Sequence, residues 1–147
     1  MSLDTKIPPP ILTILILSII YLFDVNEYNL NTDIISILTL FIGLIFIISA
    51  VIQFINRKTT VNPTKPHMTS TLVITGTYKI TRNPMYLGML LIIISFAFHK
   101  ASIISLILIP LFIFYINKFQ IEPEEFEMRK KFGKEYEDYC KKVDRWI

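Results

Sequence analysis

A single cysteine, Cys140, leaves this 147-residue chain with no internal disulfide and no cysteine-based metal site. Its two histidines, His67 and His99, fall on opposite sides of the long apolar runs and do not make a ligand cluster, so no metal is expected. Four dispersed glycines, Gly43, Gly76, Gly88 and Gly133, form no glycine-rich loop, which disfavours dinucleotide binding of the soluble type. Charge is also scarce, at 18% of residues against 52% hydrophobic. No internal repeat or low-complexity linker is visible, and the stretch Asp24 to Asp33 carries three acids and no base.

Long apolar runs are what the chain has in abundance. A mean hydropathy of +0.52 places it far from an ordinary soluble domain. Ile34 to Ile55 is the clearest membrane span, close to the roughly 20 residues that cross a roughly 30 Å hydrocarbon layer. The shorter run Ile11 to Phe23 follows Pro8-Pro9-Pro10 and reads as a span, with an interfacial helix or an uncleaved signal-like segment as alternatives. Met85 to Phe98 and Ala101 to Phe119, separated by His99-Lys100, read as a tight helical hairpin with a kink at Pro110. The expected fold is an all-α integral membrane protein, one domain over 1–147. It has about four transmembrane helices, at 9–23, 34–56, 84–99 and 101–119, plus a C-terminal amphipathic cytoplasmic helix.

The basic residues orient this arrangement. Of the fifteen lysines and arginines, all but Lys100 fall on one side of a four-span model, so the positive-inside rule puts both termini in the cytoplasm. The pI near 9.0 then reflects topology and attraction to anionic membrane lipid. Without a basic-aromatic groove or a recognisable module, nucleic acid is not an expected partner.

Two polar segments stand against the apolar runs. In the first, Arg82-Asn83-Pro84 precedes the third span. Asparagine is a good N-cap and proline a good first helical residue, so the positive helix end, with Arg82 beside it, is set to receive an anionic group. In the second, Pro123-Glu124-Glu125 reads as a helix start with acids in the first turn. Met128, Phe132, Tyr136, Tyr139, Val143 and Trp146 follow at helical spacing and predict one apolar face, with Arg129, Lys130, Lys134, Glu135, Glu137, Asp138, Lys141 and Lys142 opposite. A surface anchor accounts for that stripe, yet not for adjacent glutamates at a membrane boundary.

Three ordered blocks carry a resemblance: Thr59-Thr60-Val61-Asn62-Pro63; then Leu72-Val73, Gly76, Tyr78, Arg82-Asn83-Pro84-Met85-Tyr86 and Gly88; then Glu124-Glu125, Phe132-Gly133, Glu135-Tyr136, Tyr139, Val143 and Arg145-Trp146. Together they resemble the isoprenylcysteine carboxyl methyltransferase family, most closely its small bacterial members, and more distantly phospholipid N-methyltransferases. The resemblance covers roughly 57–147. It implies an integral membrane enzyme, in the inner (plasma) membrane of a prokaryote, that uses S-adenosyl-L-methionine to methylate a lipophilic small molecule or lipid at the cytoplasmic face. The connector 57–83 and tail 120–147 would form the cofactor site with the last two spans.

Carried over position by position, cofactor contacts fall on Ser70, Thr71, Leu72 and Val73, on Tyr78, on Asn83, Pro84, Met85 and Tyr86, and on Glu124 with Glu125 beside it. Arg82, Gln120 and Arg145 are the candidates on the reacting side. The eukaryotic members carry histidine where Ser70 and Asn83 stand and a carboxylate-gripping arginine where Gln120 stands, which argues against a carboxylate substrate. The residue chemistry suits a sulfonium cofactor: Glu124 can accept from ribose hydroxyls or an ammonium, and Tyr78 and Tyr86 offer aromatic faces. The alternatives are a non-catalytic membrane scaffold or lipid-binding protein, and an NADPH-dependent reductase of the sterol-reductase type.

Overall fold

A computed structural model describes residues 7–23, 30–56 and 71–147. Ser70 and most of the Asn56–Thr81 connector therefore lie outside the described residues, as does most of the acidic stretch 24–33. Described elements are helical: α1 (Pro9–Phe23), α2 (Leu30–Asn56), a 3₁₀ turn (Gly76–Lys79), α3 (Pro84–His99), α4 (Ser105–Ile116), a π-helical turn (Asn117–Ile121), α5 (Glu122–Phe132) and α6 (Lys134–Cys140).

α3 is the centre of the packing. It lies antiparallel to α2, and the two backbones touch at Gly43 and Gly88: a Cβ on Gly88 would sit 2.6 Å from the Gly43 carbonyl oxygen and 2.5 Å from Ile47 Cγ1. Small residues at such crossings let helices approach closely in an apolar medium. At one end of this pair Ser95 donates to the Ser36 carbonyl at 2.8 Å, and His99 Nδ1 meets Asp33 Oδ1 at 2.9 Å. At the other end Gln53 holds the 3₁₀ turn, donating to Thr77 Oγ1 at 3.2 Å and accepting from Thr75 Oγ1 at 3.3 Å. Gly76 fits there because its φ is +59° and a side chain would strike Gln53. On its other side α3 packs Tyr86, Leu90 and Ile93 against Ile16 and Ile20 of α1 and Leu108, Phe112 and Ile116 of α4.

Among the described residues two helices, fewer than the four expected, are long and apolar enough to cross a membrane on length and composition alone, Thr32–Asn56 and Ser105–Phe132. The 15 residues of α1 and the 16 of α3 fall short of the usual span. The α3–α4 connection is also wider than His99-Lys100. α3 closes through a left-handed Ala101, φ +48°, with the Ser102 amide donating back to the Ala97 carbonyl at 2.9 Å, and α4 begins only at Ser105.

The tail departs further from expectation. Pro123 does not break the chain between a last span and a separate surface helix, because α4 runs on through the π turn into α5. A proline removes one amide from the ladder, and a locally wider turn is a common way to absorb that loss. The single amphipathic helix expected over 120–147 is instead two helices divided at Gly133, whose φ of +51° favours glycine and whose missing side chain would have met nothing within 4 Å. Gly133 thus serves backbone direction, not a close approach of the tail to the core.

Because a methyl at position 88 meets backbone and an Ile47 branch at once, Gly88→Ala should cost ~1–3 kcal/mol of stability. Thermal unfolding in detergent measures it, and an unchanged melting temperature would mean that the α2–α3 crossing is not tightly packed.

Candidate functional site

The polar residues singled out above converge where the 3₁₀ turn, the start of α3, the start of α5 and the chain after α6 meet. Two adjacent carboxylates divide the work. Glu124 Oε1 accepts a 2.5 Å hydrogen bond from the Tyr86 hydroxyl in the first turn of α3. Glu125, 7% exposed, faces two close guanidinium groups and a more distant third: Arg82 Nη1 lies 3.0 Å from Oε1, Arg145 donates from Nε to Oε1 at 3.1 Å and from Nη2 to Oε2 at 2.8 Å, and the exposed Arg129 Nη2 lies 3.9 Å from Oε2. Paired nitrogens on paired oxygens make the Arg145 contact both strong and directional.

The segment Asp144-Arg145-Trp146 is laced to the approach to α3. The Arg82 amide donates to the Asp144 carbonyl at 2.9 Å, and the Arg145 carbonyl accepts from Thr81 Oγ1 at 3.1 Å and Asn83 Nδ2 at 2.9 Å. Asn83 therefore does not cap α3 through its side chain, as its sequence position predicted; that side chain is spent on the tail. Thr81, fully buried, also accepts from the Asn83 amide at 3.1 Å. Trp146 donates its indole N–H to Asn117 Oδ1 in the π turn at 3.1 Å and packs on the α1–α3–α4 core, so it is more than an interfacial aromatic. Tyr139 donates to the Tyr78 carbonyl at 2.6 Å.

Tyr78 is buried and meets Phe54 edge-on, with ring centroids 5.6 Å apart; Ala50, Val73 and Met85 complete this small cluster. Burial, and then the Glu124 carboxylate, push its hydroxyl well above the ordinary tyrosine range, so Tyr78 stays a neutral phenol at any working pH. Burial likewise raises Tyr136, with Glu125 adding to it. For Arg82, burial acts downward, but Glu125 and the neighbouring Cys140 and Tyr136 outweigh it, so its pKa ends above the ordinary value and the charge is secure. Arg82 Nη1 also donates to Cys140 Sγ at 2.8 Å, while its buried Nε has no partner among the described residues.

The expected site residues thus sort into groups. Tyr78, Tyr86 and Glu124 come together, with Val73 and Met85 packed against Tyr78 and Pro84 buried at the head of α3. Arg82, Arg145 and Glu125 come together in an ion cluster, so both arginines already have a carboxylate. Gln120, buried one turn before Glu124, donates to the Ile7 carbonyl at 3.3 Å, and Tyr115 accepts from the Ile7 amide at 2.8 Å. Thr71 and Leu72 are half-buried at the start of the described segment, and Ser70 lies outside it. Missed by the sequence reading was Thr81, whose position two residues before Asn83 is the one usable signal, since Ser/Thr hydroxyls commonly bond the backbone two residues on. An open apolar groove of about 410 Å³ along α1, lined by Ile14, Leu17, Ser18, Tyr21 and Leu22, contains none of this polar chemistry.

With this geometry in place, comparison with known proteins is decisive at family level. Residues 32–135 match the phospholipid methyltransferase family model. The chain belongs to the phospholipid methyltransferase family. This membership, with two membrane-length apolar helices, makes it a membrane protein of methyltransferase type. It is also similar to an uncharacterized protein of Haemophilus influenzae, 40% identical over 63 residues, which are 43% of this chain and 100% of that protein. No solved structure matches significantly. Among the described residues of this family member no group of three or more His, Cys, Asp or Glu could hold a metal ion.

Glu125→Ala would leave the largely buried Arg82 and the partly exposed Arg145 facing each other across the lost carboxylate, so we expect a loss of ~2–4 kcal/mol, below the full cost of breaking a buried pair because water reaches Arg145. Trp146→Phe, which removes one indole bond, should cost only ~0.5–1.5 kcal/mol. Detergent melts of both variants check this, and equal small losses would show the ion cluster to be dispensable.

Proposed function

We propose that this phospholipid methyltransferase family protein transfers a methyl group from S-adenosylmethionine to a lipophilic acceptor at the cytoplasmic membrane face. The observation that carries the reading is the Tyr78–Tyr86–Glu124 group: a carboxylate and two aromatic rings gathered at the head of α3, with one carboxylate oxygen engaged by Tyr86. That donor and acceptor set fits the cofactor. Glu124 would accept from its hydroxyl or ammonium groups, and the faces of Tyr78 and Tyr86 would sit against its adenine or its cation, a contact worth ~0.5–2 kcal/mol. When bound, the cofactor supplies an electrophilic methyl group carried on a sulfonium.

Methyl transfer is an in-line displacement that asks for alignment and electrostatic support more than for proton transfer. Tyr78 and Tyr86 suit such a task, being held in place by Phe54, Glu124 and the packing around α3. Arg82 and Arg145 remain candidates near the head group of a substrate, although both are engaged by one carboxylate, Glu125, which leaves the cluster with net positive charge. Gln120 carries no charge and its amide is occupied by Ile7. With an uncharged glutamine in place of an arginine at position 120, the acceptor we infer is an amine, thiol or hydroxyl on a lipophilic molecule, in preference to a prenylcysteine carboxylate. The topology that accompanies this reading has both termini in the cytoplasm, with α1 and the central α3 joining the two longer helices in a four-helix membrane unit.

Three measurements test the proposal. Detergent-purified protein should bind S-adenosylhomocysteine and gain ~2.7 kcal/mol of stability at a hundredfold excess over its dissociation constant, and Glu124→Gln should weaken binding by ~1.5–3 kcal/mol. Absence of heat and of any melting shift at millimolar ligand sinks the methyltransferase reading, and binding of NADPH in its place would favour a reductase. With labelled cofactor and a panel of prenylcysteines, aminophospholipids and apolar thiols, preferential methylation of the prenylcysteine carboxylate would overturn the substrate inference. In a Cys140→Ser background, Tyr28→Cys should react with an impermeant thiol reagent from outside the cell, and protection there counts against the proposed topology.

A further inference from the structure

We propose that Arg82, Glu125 and Arg145 are positioning residues: their ion cluster fixes the roll of α5 about its axis and thereby holds the neighbouring Glu124 against Tyr86. The proposal rests on the methyltransferase reading only for what Glu124 is positioned to bind. Successive side chains on a helix point about 100° apart, so locking one of an adjacent pair fixes the direction of the other. The lock comes from two separate parts of the chain, Arg82 just before α3 and Arg145 beyond α6, and three guanidinium nitrogens lie within 3.1 Å of the two Glu125 oxygens. The fork of Arg145 dictates the plane of that carboxylate, which a single-point contact would not.

α5 follows a π turn, whose wider winding gives what comes after it a phase different from that of regular α-helix, and the ion cluster holds α5 in that phase. Arg82 and Tyr86 stand four residues apart on either side of Asn83-Pro84, and Glu124 and Glu125 meet them as a pair: Glu125 to Arg82, Glu124 to Tyr86. Arg145 is itself fixed at its carbonyl by Thr81 and Asn83, so its side chain extends from an anchored backbone. These backbone contacts survive any change of its side chain, which makes Arg145 the position where clamp and strap can be separated.

The test uses the full chain in detergent and two readouts. In the first, 3-fluorotyrosine is placed at position 86 and its fluorine resonance followed without cofactor, with Glu124→Gln as the reference for a weakened Tyr86 contact. Arg145→Ala should move the resonance toward that reference, Arg145→Lys should move it less, and Trp146→Phe, which loosens the same tail without touching Glu125, should leave it in place. A resonance unmoved in Arg145→Ala, or moved equally in Trp146→Phe, overturns the proposal. In the second, Arg145→Ala should weaken S-adenosylhomocysteine binding at least about tenfold in the native background and less than about threefold when Glu124 is already glutamine, since its effect passes through that carboxylate. Equal losses in both backgrounds overturn it. Should the unaltered protein bind no S-adenosylhomocysteine, the methyltransferase reading falls and the fluorine readout alone decides the clamp. If Arg145→Ala does not fold, Arg145→Lys carries both comparisons.

Discussion

A carboxylate with almost no access to water is tolerable only where positive charge and hydrogen bonds replace the solvent it has lost. Glu125 is in that position, and the two arginines that compensate it come from opposite ends of the site. The requirement therefore reaches well beyond one ion cluster. It brings the approach to α3, the start of α5 and the segment after α6 to a common point, and the surrounding bonds from Thr81, Asn83 and Trp146 follow from that meeting. Buried ion pairs contribute little net stability relative to an apolar replacement, so their worth here lies in specifying one arrangement of three chain segments.

The membrane half of the molecule obeys a different rule. α2 presents most of its isoleucine and phenylalanine side chains outward and keeps its intimate contact for the Gly43–Gly88 crossing and the Ser36–Ser95 bond. In an apolar medium there is no gain from hiding such side chains, so close backbone packing and polar pairs decide how helices associate. The Gln53 grip on the 3₁₀ turn then transfers this rigid pair to the site, because Tyr78 sits on that turn and Tyr86 on α3 itself.

Much of this was legible in the sequence. Apolar run lengths located the helices, the Asn83-Pro84 pair marked the start of α3, and the ordered blocks from Leu72 to Trp146 pointed to a membrane methyltransferase. What could not be read was direction around a helix. A wheel drawn at regular α-helical spacing through Lys118 and Gln120 loses phase across the π turn, so the preference for Glu124 over Glu125 came from the resemblance and not from helix geometry. Asn83 misled for a related reason: its amide has the right chemistry for capping, yet a long-range carbonyl at Arg145 took it. Tertiary partners more than sixty residues away leave no local signature. The two-helix break at Gly133 was hidden as well, since glycine's capacity for positive φ is visible in sequence but its use is not.

The strap from Thr81 and Asn83 to the Arg145 carbonyl spans 64 and 62 residues of sequence, and between its ends lie the whole of α3, α4, α5 and α6. Its closure carries a loop entropy that only late, cooperative contacts repay, and such contacts form slowly. The order of events during synthesis is thus built in: the apolar helices can enter the bilayer and find one another while Glu124 still has no fixed orientation. Residue 145 must leave the ribosome before the carboxylate pair takes up its two directions, so a nascent chain is a membrane protein well before it has an organised site.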